Sequence, residues 1–399
     1  MSEQIQTDFT PVTEWVLDQG LGTTDVGTLI AGVCERFNDL GMRILRGHVS
    51  VSLLHPRFEA RSFTWWRDED VITTGHEVGS SEEKGWRESP LAALIESGTD
   101  AQRFRIDSGE GVDRFPVFTE FVEKGGTDYV SYIVGFGDEE TAIARSDGMV
   151  CSWLTDRPGG FSRLEIAALR RLRRRLGLAV KTVVREELAR SVLNAYLGPR
   201  AGAKVLDGSL HLGDGEMIEA VIWFSDLRDS SRHLGESGIN GYLDLMNRYF
   251  ECTAGPVMAA GGDVLRFVGD AMLAMFPLDR FGSREAAVAA AMTAWREARR
   301  LQEKENAAAS KGDGIGFSVG MHAGELLYGN VGVQERLEFT VVGAAANLAA
   351  RLERQASERG EPLVMSAEVA HCCGQPVRSL GLADLRGFAD PVELFVPGG

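Results

Sequence analysis

The feature that most restricts the fold is a pair of apolar runs separated by only two residues. Val264–Val268 and Ala271–Phe276 flank Gly269 and Asp270. A Gly-Asp pair supplies the positive φ angles that a two-residue turn needs, so this segment predicts an antiparallel hairpin. Asp270 would then lie at the tip of the hairpin, with its carboxylate outside the core.

A second aspartate follows another apolar run. Ala220–Phe224 is rich in β-branched and aromatic residues, which predicts a buried strand of about five residues. Asp226 would lie at or just past its carboxyl end, where sheets often build their sites. Two carboxylates on adjacent strand ends suit divalent cations ~3.5 to 4 Å apart, an arrangement used in chemistry on phosphate. The alternative is two unrelated turn aspartates, because Asp favours turns by bonding nearby backbone.

A third segment adds an amide and a guanidinium. Phe317–Met321 alternates like a strand, and Ala344–Glu353 has the high helix propensity of Ala, Leu and Arg. Asn347 and Arg351 are four residues apart on that helix, so they share a face and would point at one ligand. Arg suits a phosphoryl group because it is always charged and donates two parallel hydrogen bonds. A surface Asn beside a salt-bridged Arg is the alternative.

The first half of the chain predicts a small sheet with helices packed on it. Helices are expected at Val26–Leu40, Pro90–Ser97 and Pro116–Glu123, and strands at Gly47–Leu54, Ala60–Trp66, Asp128–Phe136 and Thr141–Leu154.

A long helix is expected to follow. From Ser162 to about Leu197, apolar residues recur at helical spacing, which predicts a connector ~50 Å long. The arginines at 170, 171 and 173–175 favour a solvated helix face over a membrane or partner surface. The Gly-rich stretch Leu197–Glu216 is expected to be turn-prone. We therefore expect one domain at residues 1–160, a helical linker at 161–212 and a second domain at 213–399.

Composition narrows the classes of partner. A formal net charge of -16 argues against nucleic acid, because phosphate backbones are bound through Lys and Arg. The five cysteines have neither metal-ligand spacing nor the pattern of a disulfide framework, so a reducing cytoplasm is the expected compartment. No apolar run approaches the ~20 residues of a membrane span, and the first residues lack the pattern of a signal peptide.

The segments of the second half together resemble the catalytic domain of class III nucleotide cyclases, over about Glu219–Pro397. The motifs that carry the resemblance are FSDLR, FVGDAMLAMF, VGMHAGELLYGNVG, TVVGAAANLAARLE and LRGFADPVELF. The resemblance implies an α/β (α+β) fold class with a ferredoxin-like catalytic domain. It also implies a homodimer that takes ATP as substrate.

The resemblance implies roles for individual residues. Asp226 and Asp270, with the backbone carbonyl of Leu227, would bind two Mg²⁺ or Mn²⁺ ions per site. Asn347 would orient the ribose and Arg351 would stabilise the α-phosphate, both across the dimer interface. Either Asp226 or water would accept the proton of the attacking hydroxyl.

The expected nucleotide-binding positions depart in part from the family. Where adenylyl cyclases typically use a lysine and an aspartate or threonine to read adenine, this chain has Arg266 and Thr340. The glutamate and cysteine typical of guanylyl members are absent, and arginine keeps a donor for adenine N1. Phe224 and Arg386 are further candidates for contact with the nucleotide. Glu325 occupies the place where some relatives have a basic residue for the triphosphate.

The expected activity is conversion of ATP into 3′,5′-cyclic AMP and pyrophosphate. Guanylate cyclase activity is one alternative, and a nucleotide-binding regulatory module without turnover is another, because Arg266 and Glu325 are departures. A diguanylate cyclase interpretation of GGDVL is weak, since Val264 and Leu265 follow where that motif needs Glu-Phe.

The first half resembles a GAF-like sensor of an unknown small-molecule or protein signal. This resemblance rests on the order of its predicted elements and on the helix that follows them. Phe63, Trp65 and Trp66 are candidates to line a ligand pocket, with ordinary packing as the alternative.

Overall fold

The computed structural model describes residues 8–22, 24–52, 58–77, 84–136, 148–209, 211–309 and 314–398. Within this part of the chain there are two compact units, and the division between them falls between Ala189 and Arg190. Each unit has its own sheet and its own hydrophobic core. Helices accompany a mainly antiparallel sheet in both units, which confirms the predicted α+β class.

The first unit is built on a six-stranded antiparallel sheet. Its strands are Ile44–Ser52 (β1), Phe58–Trp66 (β2), Ile72–Glu77 (β3), Ala101–Phe104 (β4), Asp128–Gly135 (β5) and Gly148–Thr155 (β6). The strand order is β3-β2-β1-β6-β5-β4. The helices are Thr10–Leu21 (α1), Val26–Asp39 (α2), Lys84–Arg87 (α3), Pro90–Glu96 (α4), Pro116–Glu123 (α5) and Arg163–Leu197 (α6), which extends past the division.

The two faces of this sheet have different cores. One face packs against α1, α2 and α6, and the apolar stripe predicted for α6 is buried there: Leu169, Leu172, Leu176, Val180, Val183 and Val184. The other face carries an aromatic cluster in which Trp66 packs with Phe121 of α5. Phe63 and Trp65 belong to the first core and Trp66 to the second, so ordinary packing, rather than a shared pocket, accounts for all three.

Most predicted elements of the first half are confirmed to within a few residues. α2 begins as expected, where the Asp25 side chain accepts a hydrogen bond from Thr28 N at 2.9 Å and caps the helix. The start of the predicted strand at Thr141 lies outside the described residues. α1 and β3 were not predicted, because neither has a strong pattern of its own. Of the arginines on α6, Arg173 pairs with Asp100 at 2.7 Å, and those at 170, 171 and 174 face solvent.

The second unit is built on an eight-stranded sheet. Its strands are Gly215–Leu227 (β7), Asp263–Val268 (β8), Ala271–Pro277 (β9), Phe317–Val333 (β10), Arg336–Val342 (β11), Leu363–Met365 (β12), Val377–Ala383 (β13) and Val392–Pro397 (β14). The helices are Pro199–Leu206 (α7), Ser230–Ala259 (α8), Leu278–Phe281 (α9), Arg284–Ala308 (α10), Ala344–Arg359 (α11) and Ala367–Ala370 (α12). The strand order is β13-β14-β12-β10-β7-β9-β8, and β11 pairs with β10.

The centre of the second unit is ferredoxin-like, as expected. Its chain order is β7-α8-β8-β9-α10-β10, and its sheet order is β10-β7-β9-β8. The prediction that Leu197–Glu216 is turn-prone throughout was wrong. Pro199 opens a two-turn helix there, since proline is well tolerated in the first turn, and the buried Ala201 packs that helix on the sheet.

α11 packs against β10 at a glycine. A Cβ at Gly320 would lie 2.1 Å from the Ala349 carbonyl oxygen and 2.2 Å from the Glu353 nitrogen. Only glycine permits this approach, because any larger residue would displace the helix from the strand. The helix ends at Gly360, whose φ of 72° is a left-handed cap. The contact at Gly320 therefore fixes the distance of α11 from the sheet, and the cap at Gly360 fixes where the helix ends.

Candidate active site

Asp226 and Asp270 converge at one edge of the second sheet. Asp226 is the penultimate residue of β7, and its register partner is Ala271, the first residue of β9. The predicted hairpin of β8 and β9 is confirmed, with Gly269 at a φ of 63° in the turn beside Asp270. Leu227 N donates a hydrogen bond to the Asp270 carbonyl oxygen at 3.2 Å. This backbone contact fixes the two carboxylate-bearing residues next to each other.

The Asp226 carboxylate is electrostatically stressed. Burial, together with the neighbouring charge of Asp270, raises the pKa of Asp226 from 3.8 to about 6, although a hydrogen bond from Leu227 N opposes the rise. Its Oδ1 is buried and has no hydrogen-bond partner within the described part of the chain. A divalent cation would supply what this oxygen lacks and would neutralise the repulsion.

The donor set fits a hard cation such as Mg²⁺ or Mn²⁺. Carboxylate oxygens, with a backbone carbonyl such as that of Leu227, are the ligands that these ions prefer. Among the described residues, no group of three or more His, Cys, Asp or Glu side chains forms a metal cluster. The remaining coordination positions would therefore belong to substrate or water, as is usual for magnesium bound near phosphates.

A third carboxyl group near Asp226 was not identified from the sequence. Glu353 of α11 is 5% exposed, and its Oε1 accepts a hydrogen bond from Ser318 Oγ at 2.7 Å. Ser318 is the register partner of Asp226 on β10. Burial and the charge of Asp226 raise the pKa of Glu353 to about 7, although the Ser318 hydrogen bond opposes this. Helical spacing could have identified Glu353 from the sequence, because it shares the buried face of α11 with Ala349.

Asn347 and Arg351 lie on the other side of that helix. Ala349, Leu352 and Glu353 face the sheet, whereas Asn347 is exposed and Arg351 is half-buried. At 3.6 residues per turn, the Asn347 and Arg351 pair is rotated roughly 160° from Ala349. The two residues share a face as predicted, but that face points away from the strands that carry the aspartates. Arg351 Nε contacts the Arg386 carbonyl oxygen at 3.4 Å, so the backbone of Arg386 lies beside this face of the helix.

The candidate base-reading residues lie on neighbouring strands. Phe224, Leu273 and Arg266 form one row across β7, β9 and β8, which places Phe224 and Arg266 on the same face as Asp226. Arg266 Nη1 pairs with Glu338 Oε1 of β11 at 2.6 Å.

Thr340 completes this group of residues. It lies two residues after Glu338 on β11, so the two side chains share a face of the strand. Its Oγ1 is buried without a hydrogen-bond partner among the described residues. Glu338 was not identified from the sequence, because a surface glutamate on a strand has no distinguishing pattern. Glu325 is exposed on β10.

Comparison with known proteins identifies the domain. Residues 216–384, less than half of the chain, match the family described as adenylate and guanylate cyclase catalytic domain. The second unit is a class III nucleotide cyclase catalytic domain. An uncharacterized protein of Mycobacterium tuberculosis is 31% identical over 235 residues, which cover 57% of this chain and 41% of that protein. Adenylate cyclase 1 of Rhizobium meliloti is 27% identical over 184 residues, 44% of this chain and 27% of that one.

Part of this chain is also similar to solved structures of cyclases. The adenylyl cyclase CyaB of P. aeruginosa is 25% identical, covers 46% of this chain and 96% of its own, and superposes with a TM-score of 0.41. The guanylyl cyclase Cya2 is 24% identical, covers 45% of this chain and 92% of its own, and has a TM-score of 0.38. This chain spans less than half the length of the curated relatives it matches. Among the described residues, no helix of the cyclase or of the first unit is long and apolar enough to cross a membrane.

The raised pKa of Asp226 predicts a dependence of stability on pH. The folded protein binds this proton more tightly than the unfolded chain, so the contribution is present below about pH 4 and is lost as pH rises through about 6. Asp226→Asn should therefore raise the free energy of unfolding at pH 8 by about 1 to 2 kcal/mol more than at pH 5, in metal-free buffer.

Urea unfolding at the two pH values measures this difference. Asp390→Asn, which removes an exposed aspartate, is the control for the loss of one negative charge. An equal effect of Asp226→Asn at both pH values would contradict the strained carboxylate pair.

Proposed function

We propose that the chain is an adenylate cyclase that converts ATP into 3′,5′-cyclic AMP and pyrophosphate. The observation that carries the proposal is the pair of aspartates at the β7 and β9 strand ends, one of which has a buried oxygen without a partner. In a cyclase catalytic domain, such a pair is suited to binding the metal ions of a nucleoside triphosphate.

In the proposed reaction, the ribose 3′ oxygen attacks the α-phosphorus, and the bond from that phosphorus to the bridging oxygen of the β-phosphate breaks. Pyrophosphate leaves with the electron pair of that bond, and the 3′ hydroxyl proton passes to Asp226 or to water. Bound metal ions supply a lower pKa for the hydroxyl and charge for the phosphates. Asp226 and Asp270 would hold those ions, and the rigid hairpin keeps the carboxylates in place, so the chain contributes mainly positioning and electrostatics.

We further propose that two chains are needed for each site. Asn347 and Arg351 face away from the sheet of their own chain, so they are available to a nucleotide held by a partner. Asn347 would orient the ribose there, and Arg351 would meet the charge that grows on the α-phosphate. The contact of Arg351 with the Arg386 carbonyl oxygen brings the backbone of Arg386 to this face, and we propose that its exposed side chain adds positive charge for a polyanionic substrate.

The assignment of adenine rests on Thr340 and Arg266. The partnerless hydroxyl of Thr340 can accept from the adenine amino group, and Arg266 can donate to N1. GTP is the second candidate, because Glu338 holds Arg266 and offers a carboxylate acceptor for the N–H groups of guanine. The preference for ATP or GTP then depends on how the Arg266 and Glu338 ion pair rearranges when the nucleotide binds.

The first unit is proposed to regulate the cyclase. We assign residues 1–160 to a GAF-like sensor, 161–212 to a helical transducer and 213–399 to the catalytic domain. The support is the separate core of the first unit and the helix α6, which extends from it past Ala189. A sensor of this kind would act by favouring one arrangement of the two catalytic domains over another.

The activity itself is tested directly with purified protein, Mg²⁺ or Mn²⁺, and either ATP or GTP. We expect cyclic AMP and pyrophosphate in equal amounts, with activity falling below about a tenth in Asp226→Asn and in Asp270→Asn, because each loses half of the metal clamp. Asp244→Asn, on an exposed turn of α8, is the matched control and should keep its activity. A nucleotide that binds without any cyclic product would instead indicate a regulatory module.

Base selection gives a second test. Arg266→Lys should keep ATP activity, because lysine retains a donor for adenine N1. Arg266→Glu combined with Thr340→Cys should shift preference toward GTP, and Glu338→Gln should change the ATP to GTP ratio of kcat/KM while leaving metal dependence unaltered. If all three variants keep the parent ratio, the base is read elsewhere.

A further inference from the structure

The sheet of the first unit carries a row of polar side chains in its interior. On the face away from α1, α2 and α6, His48 is the register partner of both Thr64 and Ser152, and Ser152 is the partner of Ser131. Four polar residues therefore cross four adjacent strands on one face. Ser131 and Ser152 are 0% exposed and His48 is 9% exposed. Burying polar groups in place of an apolar layer is unfavourable unless they are bonded, and here His48 Nδ1 is 2.8 Å from Thr64 Oγ1.

An arginine lies beside this row without an acidic partner. Arg46 Nη2 is 3.2 Å from His48 Nδ1, and its Nη1 is 3.4 Å from Ser152 Oγ. The guanidinium also lies 5.1 Å from the ring centre of Phe121. Among the described residues, no carboxylate forms an ion pair with Arg46. Glu120, whose charge acts on Arg46 from a distance, is 3.8 Å from Lys124. Burial lowers the pKa of Arg46, and the described residues supply no counterion that pairs with it.

The surrounding groups are donors. Arginine can only donate, so its contact makes His48 Nδ1 an acceptor, to which the Thr64 hydroxyl also donates at 2.8 Å, and leaves the proton on Nε2. The hydroxyl of Ser131 is buried beside the hydroxyl of Tyr129, which interacts with both Ser131 and Ser152. Arg46 and Thr64 are only partly buried, so the row is reached from its β1 and β2 side. A fixed positive charge beside a neutral donor favours an anion.

We propose that this face of the first unit binds a small oxyanion, a ligand with a carboxylate or phosphate group. Arg46 is its charge partner, and His48 Nε2 is a neutral donor beside it. The planar guanidinium fork matches two oxygens of either group and is more weakly hydrated than an ammonium group, which suits a partly buried site. This inference is independent of the cyclase activity, because it concerns the unit that lacks the catalytic residues.

The test uses the full chain and two probes, inorganic phosphate and acetate, each up to about 50 mM against sodium chloride of equal ionic strength. Thermal unfolding and the fluorescence of Trp66, near which Arg46 lies, report binding. We expect a saturable effect of at least one probe, and the stronger probe identifies the ligand as a phosphate or a carboxylate. Arg46→Met should weaken that effect at least tenfold. Arg36→Met is the matched control, because Arg36 lies 3.9 Å from the ring centre of Trp15, outside the row.

A second readout separates a ligand site from a structural arginine. Without a probe, Arg46→Met should unfold at the same temperature as the wild-type protein or higher, because it removes a buried charge that has no counterion. If that variant does not fold, Arg46→Lys keeps the charge, loses the fork and should bind about threefold more weakly. The proposal is overturned if neither probe acts beyond sodium chloride, or if the Arg46 variants respond as the wild-type protein does.

Discussion

The backbone hydrogen bond from Leu227 N to the Asp270 carbonyl oxygen is the contact on which the cyclase site depends. It closes the β8 and β9 hairpin onto the end of β7 and leaves Asp226 beside Asp270. Burial and the neighbouring like charge of Asp270 make the ionised form of Asp226 unfavourable in the folded protein, and its raised pKa expresses that cost. The sheet over-determines the arrangement through the register of three strands, so the carboxylates do not move apart. Because the two neighbouring carboxylates are unfavourable without a cation, the site is preorganised to bind one.

The two faces of α11 have separate tasks. Its inner face packs against β10 at Gly320. On that face, Glu353 accepts a hydrogen bond from Ser318, which lies opposite Asp226 in the sheet. Its outer face presents Asn347 and Arg351 to the surroundings. In the proposed dimer, α11 would therefore contact the nucleotide of the partner chain. Its position is fixed by contacts next to the aspartates of its own chain. In the proposed homodimer, any change at the Asp226 strand end would reach the partner's site through one rigid helix, which is a physical route for coupling the two sites.

The sequence predicts the parts of the site that have local patterns. The Gly269 and Asp270 turn follows from backbone chemistry alone, and the shared face of Asn347 and Arg351 follows from helical spacing. The cyclase motifs supplied the pairing of Asp226 with Asp270, which are 44 residues apart and which no local rule connects.

Partners that meet only through tertiary contacts were not predictable. Glu338 reaches Arg266 although the two residues are 72 positions apart in the chain, and Glu353 becomes a buried acid only because Gly320 allows α11 to approach so closely. The same holds in the first unit. The row formed by His48, Ser152 and Ser131 depends on strand register, whereas the Trp65 and Trp66 positions that suggested a pocket turned out to be packing.

Mixing two inactive variants tests most directly whether the site is divided between chains. Asp226→Ala and Arg351→Ala should each be inactive alone, because in a symmetric homodimer each substitution damages both sites. After exchange of chains, a mixed dimer carries both substitutions in one site and leaves the other intact, so activity should return to about a quarter of the wild-type rate per total protein. Asp226→Ala mixed with Asp270→Ala is the control and should stay inactive, because each site then keeps one defective aspartate. If the first mixture stays as inactive as the control although exchange is confirmed with tagged chains, Asp226 and Arg351 do not meet across an interface, and the account of a divided site is wrong.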